Sequence, residues 1–117
     1  MGIRPLLNIR LYLSDILTSI SKIKRYTQGM SYEELVADEL TFDAVVYNLQ
    51  IIGEAVKNIP LELRDRYPQV EWRKIADLRD IIAHAYFTID DQIVWDIIQN
   101  KLSDLDHNIQ QIRSDVL

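Results

Sequence analysis

An all-α, up-and-down helical bundle is the fold this sequence predicts, and three observations predict it. The chain has only three glycines and three prolines in 117 residues. Its apolar residues recur at i, i+3 and i+4, with no sustained alternation of the kind a half-buried strand requires. The connections between the apolar stripes are short, which makes sequential helices neighbours and largely antiparallel.

The first helix is drawn by Ile9, Leu13, Ile16, Ile20 and Ile23, widened by Leu6 and Leu17. It is expected to start near Pro5, a good first-turn residue, and to stop before Gly29. "SYEE" then reads as a capping box in which the Ser31 hydroxyl caps the Glu34 amide and Glu34 reaches back. It opens a short helix. A second long stripe runs Phe42, Val45, Leu49, Ile52, Val56 and Ile59, and ends at Pro60. Pro60 begins a short helix through "LELRDRY", which Pro68 ends. "VEWRKIADLRDIIAHA" places Trp72, Ile75, Leu78 and Ile82 on one face, and the periodicity breaks at "YFTID". Asp90 serves as N-cap of one last helix, with a stripe at Ile93, Ile97, Leu102, Leu105, Ile109 and Ile112.

At 117 residues a single domain, 1–117, is expected, long enough to bury a core without staples. Apolar residues at 48% and charged residues at 26% place it among globular rather than disordered chains. No cysteine is present, which excludes disulfides, thiolate metal sites and cysteine nucleophiles. No apolar run reaches the length of a membrane span, and the N-terminus is not built like a signal peptide; a cytoplasmic location is expected. The net charge of −5 argues against a broad nucleic-acid footprint. The charge is uneven, however. Residues 57–79 hold six bases (Lys57, Arg64, Arg66, Arg73, Lys74, Arg79) against four acids, whereas residues 90–117 are net acidic. Both stretches read most simply as solvated helix faces.

Several machineries are absent. Gly2, Gly29 and Gly53 are too far apart for a phosphate-cradling loop, and no serine sits in a nucleophile elbow. His84 and His107 are isolated, too few for zinc. Asp104 and Asp106, two apart on a helix, point to different faces and read as surface charge.

What remains is "RDIIAHAY", residues 79–86. On a helix Asp80 and His84 are i, i+4 neighbours, so the carboxylate can orient the imidazole and favour its protonated form. Arg79 and His84 are five apart, about 140° around the helix, so they do not share a face. Tyr86 lies beyond the expected helix end. Arginine and histidine suit RNA cleavage without a metal, which needs a proton acceptor, a proton donor and a cation on the phosphorane. One histidine per chain is one proton carrier short, and a two-fold dimer supplies the second. The bland reading stands beside it: a histidine among Ile81, Ile82, Ala83 and Phe87 is also what a hydrogen-bonded core or interface histidine looks like, and Tyr86 what a core-edge aromatic looks like.

"LRDIIAHAYFTID" resembles the HEPN superfamily ribonuclease motif, in the extended form with tyrosine two after the histidine that marks HepT toxins. "LQIIGEAVKNIP" (49–60) and "DQIVWDIIQNKLSDL" (91–105) are similar to the family's other segments. The resemblance implies a HEPN-like bundle of four to five helices, working as a homodimer with the motif lining a cleft between protomers. It implies Arg79 and His84 as the ribonuclease pair of a type VII toxin–antitoxin system, with Asp80 in a slot that is asparagine or aspartate in the family. Tyr86 matches the tyrosine that an MntA-type minimal nucleotidyltransferase antitoxin modifies with AMP. ATP and magnesium then belong to that partner, and this chain needs no cofactor of its own. Glu54 reads either as a buried residue hydrogen-bonding between helices or as a support for the site. Two other readings are carried: an inactive helical module that presents substrate to the nucleotidyltransferase, and a plain helical assembly dimer.

Overall fold

The structure, a computed structural model, describes the backbone of residues 3–84 and 90–116 and the side chains of 8–78 and 90–116. Among the described residues the regular structure is helical throughout. α1 (Ile3–Thr27) is followed by α2 (Tyr32–Ala37), α3 (Glu39–Lys57), α4 (Leu61–Asp65) and α5 (Trp72–His84). Then come α6 (Asp91–Asp96), a π-helical segment (Ile97–Lys101) and α7 (Leu102–Asp115). Four of these are long, as expected of the bundle.

Local chemistry sets most boundaries. α1 stops where Gly29 takes φ +76°, a left-handed conformation that a glycine adopts without a Cβ clash. Met30 N–H closes that turn on Thr27 O at 3.0 Å. The capping box of α2 forms as the sequence predicts: Glu34 N–H donates to Ser31 Oγ and Ser31 N–H to Glu34 Oε1, both at 3.1 Å. α3 has a cap the apolar stripe did not announce. Asp38 accepts from Thr41 N–H at 3.0 Å and from its hydroxyl at 2.8 Å, which holds the Asp38 carboxyl below its ordinary pKa. α4 begins after Pro60 but ends at Asp65, short of the expected Tyr67, because Arg66 and Tyr67 close turns onto Leu63 and Arg64 carbonyls. Asp90 caps α6 through Gln92 N–H (2.9 Å) and Ile93 N–H (3.3 Å).

The last helix is not the single element the sequence suggested. Its apolar stripe steps by five between Ile97 and Leu102, one residue more than an α-turn accommodates. A π turn absorbs the surplus, with Leu102 N–H donating to Ile97 O. Before that turn the phase also differs from expectation: Val94 is buried, while Ile93 is 56% exposed.

α3 is central. It packs on α1 and on α5, and α1 packs also on α7. The core joins Leu13, Ile16, Ile20 and Ile23 of α1 to Val45, Leu49, Ile52 and Val56 of α3 and to Leu102, Leu105, Ile109 and Ile112 of α7. An edge-to-face contact between Tyr32 and Trp95, ring centroids 6.0 Å apart, ties α2 to α6. No described helix is long and apolar enough to cross a membrane.

Candidate functional site

The helix that carries the motif is anchored at its beginning. The Trp72 indole N–H donates to Arg64 O (3.1 Å) and Tyr67 O (3.0 Å), fixing the first residue of α5 against the turn that follows α4. Arg64 holds that turn to α3 in its own right. Its Nη2 donates to Val56 O at 2.7 Å and its Nε to Ile59 O at 3.0 Å, satisfying carbonyls at the end of α3. Further out, the Tyr67 hydroxyl donates to Asp115 Oδ2 at 2.6 Å, joining this corner to the end of α7 and raising the phenol pKa. From these anchors α5 runs along α3 with Trp72 and Ala76 buried.

Arg79, Asp80 and His84 all fall on the described backbone of α5, at its C-terminal end, and Tyr86 lies outside the described residues. The helical register places them on two faces. Arg79 is three residues after Ala76 and seven after Trp72, in line with the buried stripe. Asp80 and His84 continue a different line, through Arg73 and Asp77, both exposed. The backbone thus supports the i, i+4 relationship of Asp80 and His84 and the angular separation of Arg79 from both.

The surrounding residues correct parts of the sequence reading. Arg64 is not part of a solvated face: its guanidinium is committed to the carbonyls of Val56 and Ile59. Lys74 is paired with Glu71 at 3.0 Å, which lowers the Glu71 pKa, and the charge of Lys101 lowers it further. Arg66 and Arg73 are exposed. Glu54 is not buried; it stands on the face of α3 opposite Val45, Leu49, Ile52 and Val56 and is solvent-exposed. Asp104 and Asp106 are surface charges as expected, Asp106 accepting from Gln110 at 2.7 Å and lying 3.7 Å from Lys24. Among the described residues no group of three His, Asp or Glu could hold a metal ion.

Two features were not legible beforehand. Asn48, buried in α3, donates from Nδ2 to Ala44 O at 2.8 Å, while its Oδ1 is buried with no partner among the described residues. A cavity of about 260 Å³ opens between α3, α5, the π segment and α7. Its floor is Leu49, Ile52, Ile75, Leu78 and Leu102, and Glu71, Lys74, Lys101 and Asp104 share its rim, two charges of each sign. The irregular step from Ile97 to Leu102 was the available signal for the π wall.

The sequence matches the family described as Ribonuclease HepT-like over residues 16–112. It is 40% identical over 112 residues to a protein of Methanocaldococcus jannaschii named as a candidate RNase, covering 96% of this chain and 93% of that one. It is 37% identical over 103 residues to a candidate RNase of Caldanaerobacter subterraneus subsp. tengcongensis, covering 88% and 92%. Similarity to a protein of Thermococcus cleftensis named as a candidate ribonuclease HepT is 35% over 102 residues, covering 87% and 93%. No solved structure matches significantly.

Proposed function

Because this chain belongs to the HepT-like ribonuclease family, we propose that it is a metal-independent endoribonuclease toxin whose catalytic pair is Arg79 and His84. The observation that carries this is the spacing of "RDIIAHAY" at the end of α5, inside the matched span. His84 takes the proton of a ribose 2′-hydroxyl, the 2′-oxygen attacks the adjacent phosphate, and Arg79 neutralises the charge that builds on the phosphorane. The 5′-oxygen leaves with a proton from the second protomer's His84, giving a 2′,3′-cyclic phosphate and a 5′-hydroxyl. Asp80, one turn before His84, orients the imidazole.

Tyr86 is the control point. A minimal nucleotidyltransferase antitoxin of the MntA type, using its own ATP and magnesium, transfers AMP to the phenol oxygen. The adduct adds bulk and negative charge two residues from His84, where RNA phosphate must sit. Glu54, exposed on α3, is a candidate support for the dimeric site.

His84→Ala and Arg79→Ala each abolish cleavage of RNA measured with EDTA present; wild-type rates in both variants refute the assignment. The net charge of −5 favours a second reading, an inactive module that presents substrate to the nucleotidyltransferase. Stoichiometric binding to that enzyme with no cleavage by the unmodified protein selects it.

A further inference from the structure

Charge is segregated along this chain. Residues 1–32 carry five bases (Arg4, Arg10, Lys22, Lys24, Arg25) and one acid, Asp15, whereas residues 33–117 carry eight bases and seventeen acids. The positive share of an acidic protein therefore falls on α1 and the turn after it. On α1, Ser14, Thr18, Ser21 and Arg25 stand at i, i+4, i+7 and i+11 and are exposed, with Lys22 half-buried beside them. All five lie within an arc of about 100°, opposite the core stripe of Leu13, Ile16, Ile20 and Ile23. The Arg25 guanidinium is 5.4 Å from the centroid of the Tyr26 ring, which is 37% exposed at the edge of this face. Lys24 is directed elsewhere, 3.7 Å from Asp106 of α7.

The place of this face in the bundle matters. The six residues of α2 separate the end of α1 at Thr27 from the start of α3 at Glu39. Arg64 and Trp72 tie the start of α5 to the far end of α3, and α5 runs back along it. The basic end of α1 and the motif-bearing end of α5 therefore share one end of the bundle.

We propose that this face of α1 is a landing surface for single-stranded RNA. Lys22 and Arg25 contact phosphates, the Thr18 and Ser21 hydroxyls donate to phosphate or ribose oxygens, and one base stacks on Tyr26. The proposal rests on the ribonuclease reading of the motif and adds where the strand beyond the cut is held. Hydroxyls, cations and a ring together are what a nucleic-acid backbone with splayed bases requires; a membrane face needs a row of large apolar residues, and only Leu11 offers one here. Asp15 flanks the face near Ser14, so the contact is concentrated between Thr18 and Tyr26. So narrow a footprint is compatible with the net charge of −5.

The test is binding of a fluorescently labelled single-stranded RNA, read by anisotropy in EDTA on His84→Ala protein so that no cleavage intervenes. Lys22→Gln combined with Arg25→Gln is expected to weaken binding about tenfold and to flatten the slope of log affinity against log salt by about 0.7 per cation removed. Tyr26→Ala should lose several-fold with the slope unchanged, and Tyr26→Phe should recover it. Thr18→Glu, a good helix former at an exposed position, should weaken binding with helical content kept. Unchanged affinity and slope in the double variant overturn the proposal, as does a parent protein that binds no RNA. Retained RNA affinity with lost binding to an acidic protein overturns it too. In the cleaving protein, the loss in the double variant should fall on KM for a long RNA and spare a dinucleotide, which occupies only the cut site. Cleavage with RNA affinity indifferent to Lys22 and Arg25 removes this surface and leaves the ribonuclease standing. Binding that depends on them with no cleavage leaves the surface standing and removes the ribonuclease.

Discussion

Arg64 reaches eight residues back along the chain to hold Val56: its Nη2 donates to the Val56 carbonyl at 2.7 Å. The same guanidinium takes Ile59 O, and the backbone carbonyl of Arg64 receives the Trp72 indole. One residue therefore couples the end of α3 to the start of the helix that bears the motif.

Arg64→Ala is expected to lower folding stability by about 1–3 kcal/mol, the range for taking a charged donor away from partly buried carbonyls. Arg64→Lys should recover little, since one ammonium cannot reproduce the two-pronged contact. Urea unfolding of both variants checks this. Stability unchanged in Arg64→Ala means that the contact is incidental.

Tyr67 and Asp115 give a pH-dependent prediction. The protonated phenol donates to the carboxylate at 2.6 Å, so the folded pKa is raised above the ordinary value of 10.0. The stabilisation is complete below pH 10 and is lost as pH rises through the folded pKa. Tyr67→Phe should cost about 0.5–1.5 kcal/mol at neutral pH. Thermal unfolding between pH 8 and 11 should then show a shallower alkaline decline in the variant than in the wild type. Parallel curves count against the bond.

Asp38 gives the opposite sign. Its folded pKa is lowered from 3.8 by bonds from the Thr41 amide and hydroxyl. The stabilisation is present above the unfolded value and is lost as pH falls through the folded one. Asp38→Asn keeps an acceptor for the Thr41 amide but removes the titration, so its melting temperature should fall less steeply below pH 4. An unchanged acid slope contradicts the assignment.

The π turn predicts an unusual tolerance. Deleting Gln99, which is exposed, makes Ile97 and Leu102 i, i+4 neighbours and lets α6 and α7 join as one α-helix. Deleting Gln110 in the regular α7 instead turns Ile112 about 100° off the core. Circular dichroism should show the first variant folding cooperatively and the second destabilised. Equal damage from both deletions speaks against a register-absorbing turn.

Signals confined to one turn were readable in the sequence. Ser31 with Glu34, Gly29 and Asp90 each act within three or four residues, and each stands where spacing put it. Arg64 was misjudged because its role depends on the arrangement of α3 and α4, and an isolated arginine reads as surface charge. Ile93 and Val94 were exchanged because α6 is too short for periodicity alone to fix its phase. At the site, the spacing of Arg79, Asp80 and His84 on α5 was legible. What those groups face beyond their own helix is not a property that spacing along one helix encodes.

The central claim is 2′-hydroxyl attack assisted by His84. Mass spectrometry of the RNA ends produced in EDTA tests it most directly. The account predicts 2′,3′-cyclic phosphate and 5′-hydroxyl ends from the wild-type protein and none from His84→Ala. Ends bearing 5′-phosphate, or cleavage that stops when divalent ions are chelated, contradict it.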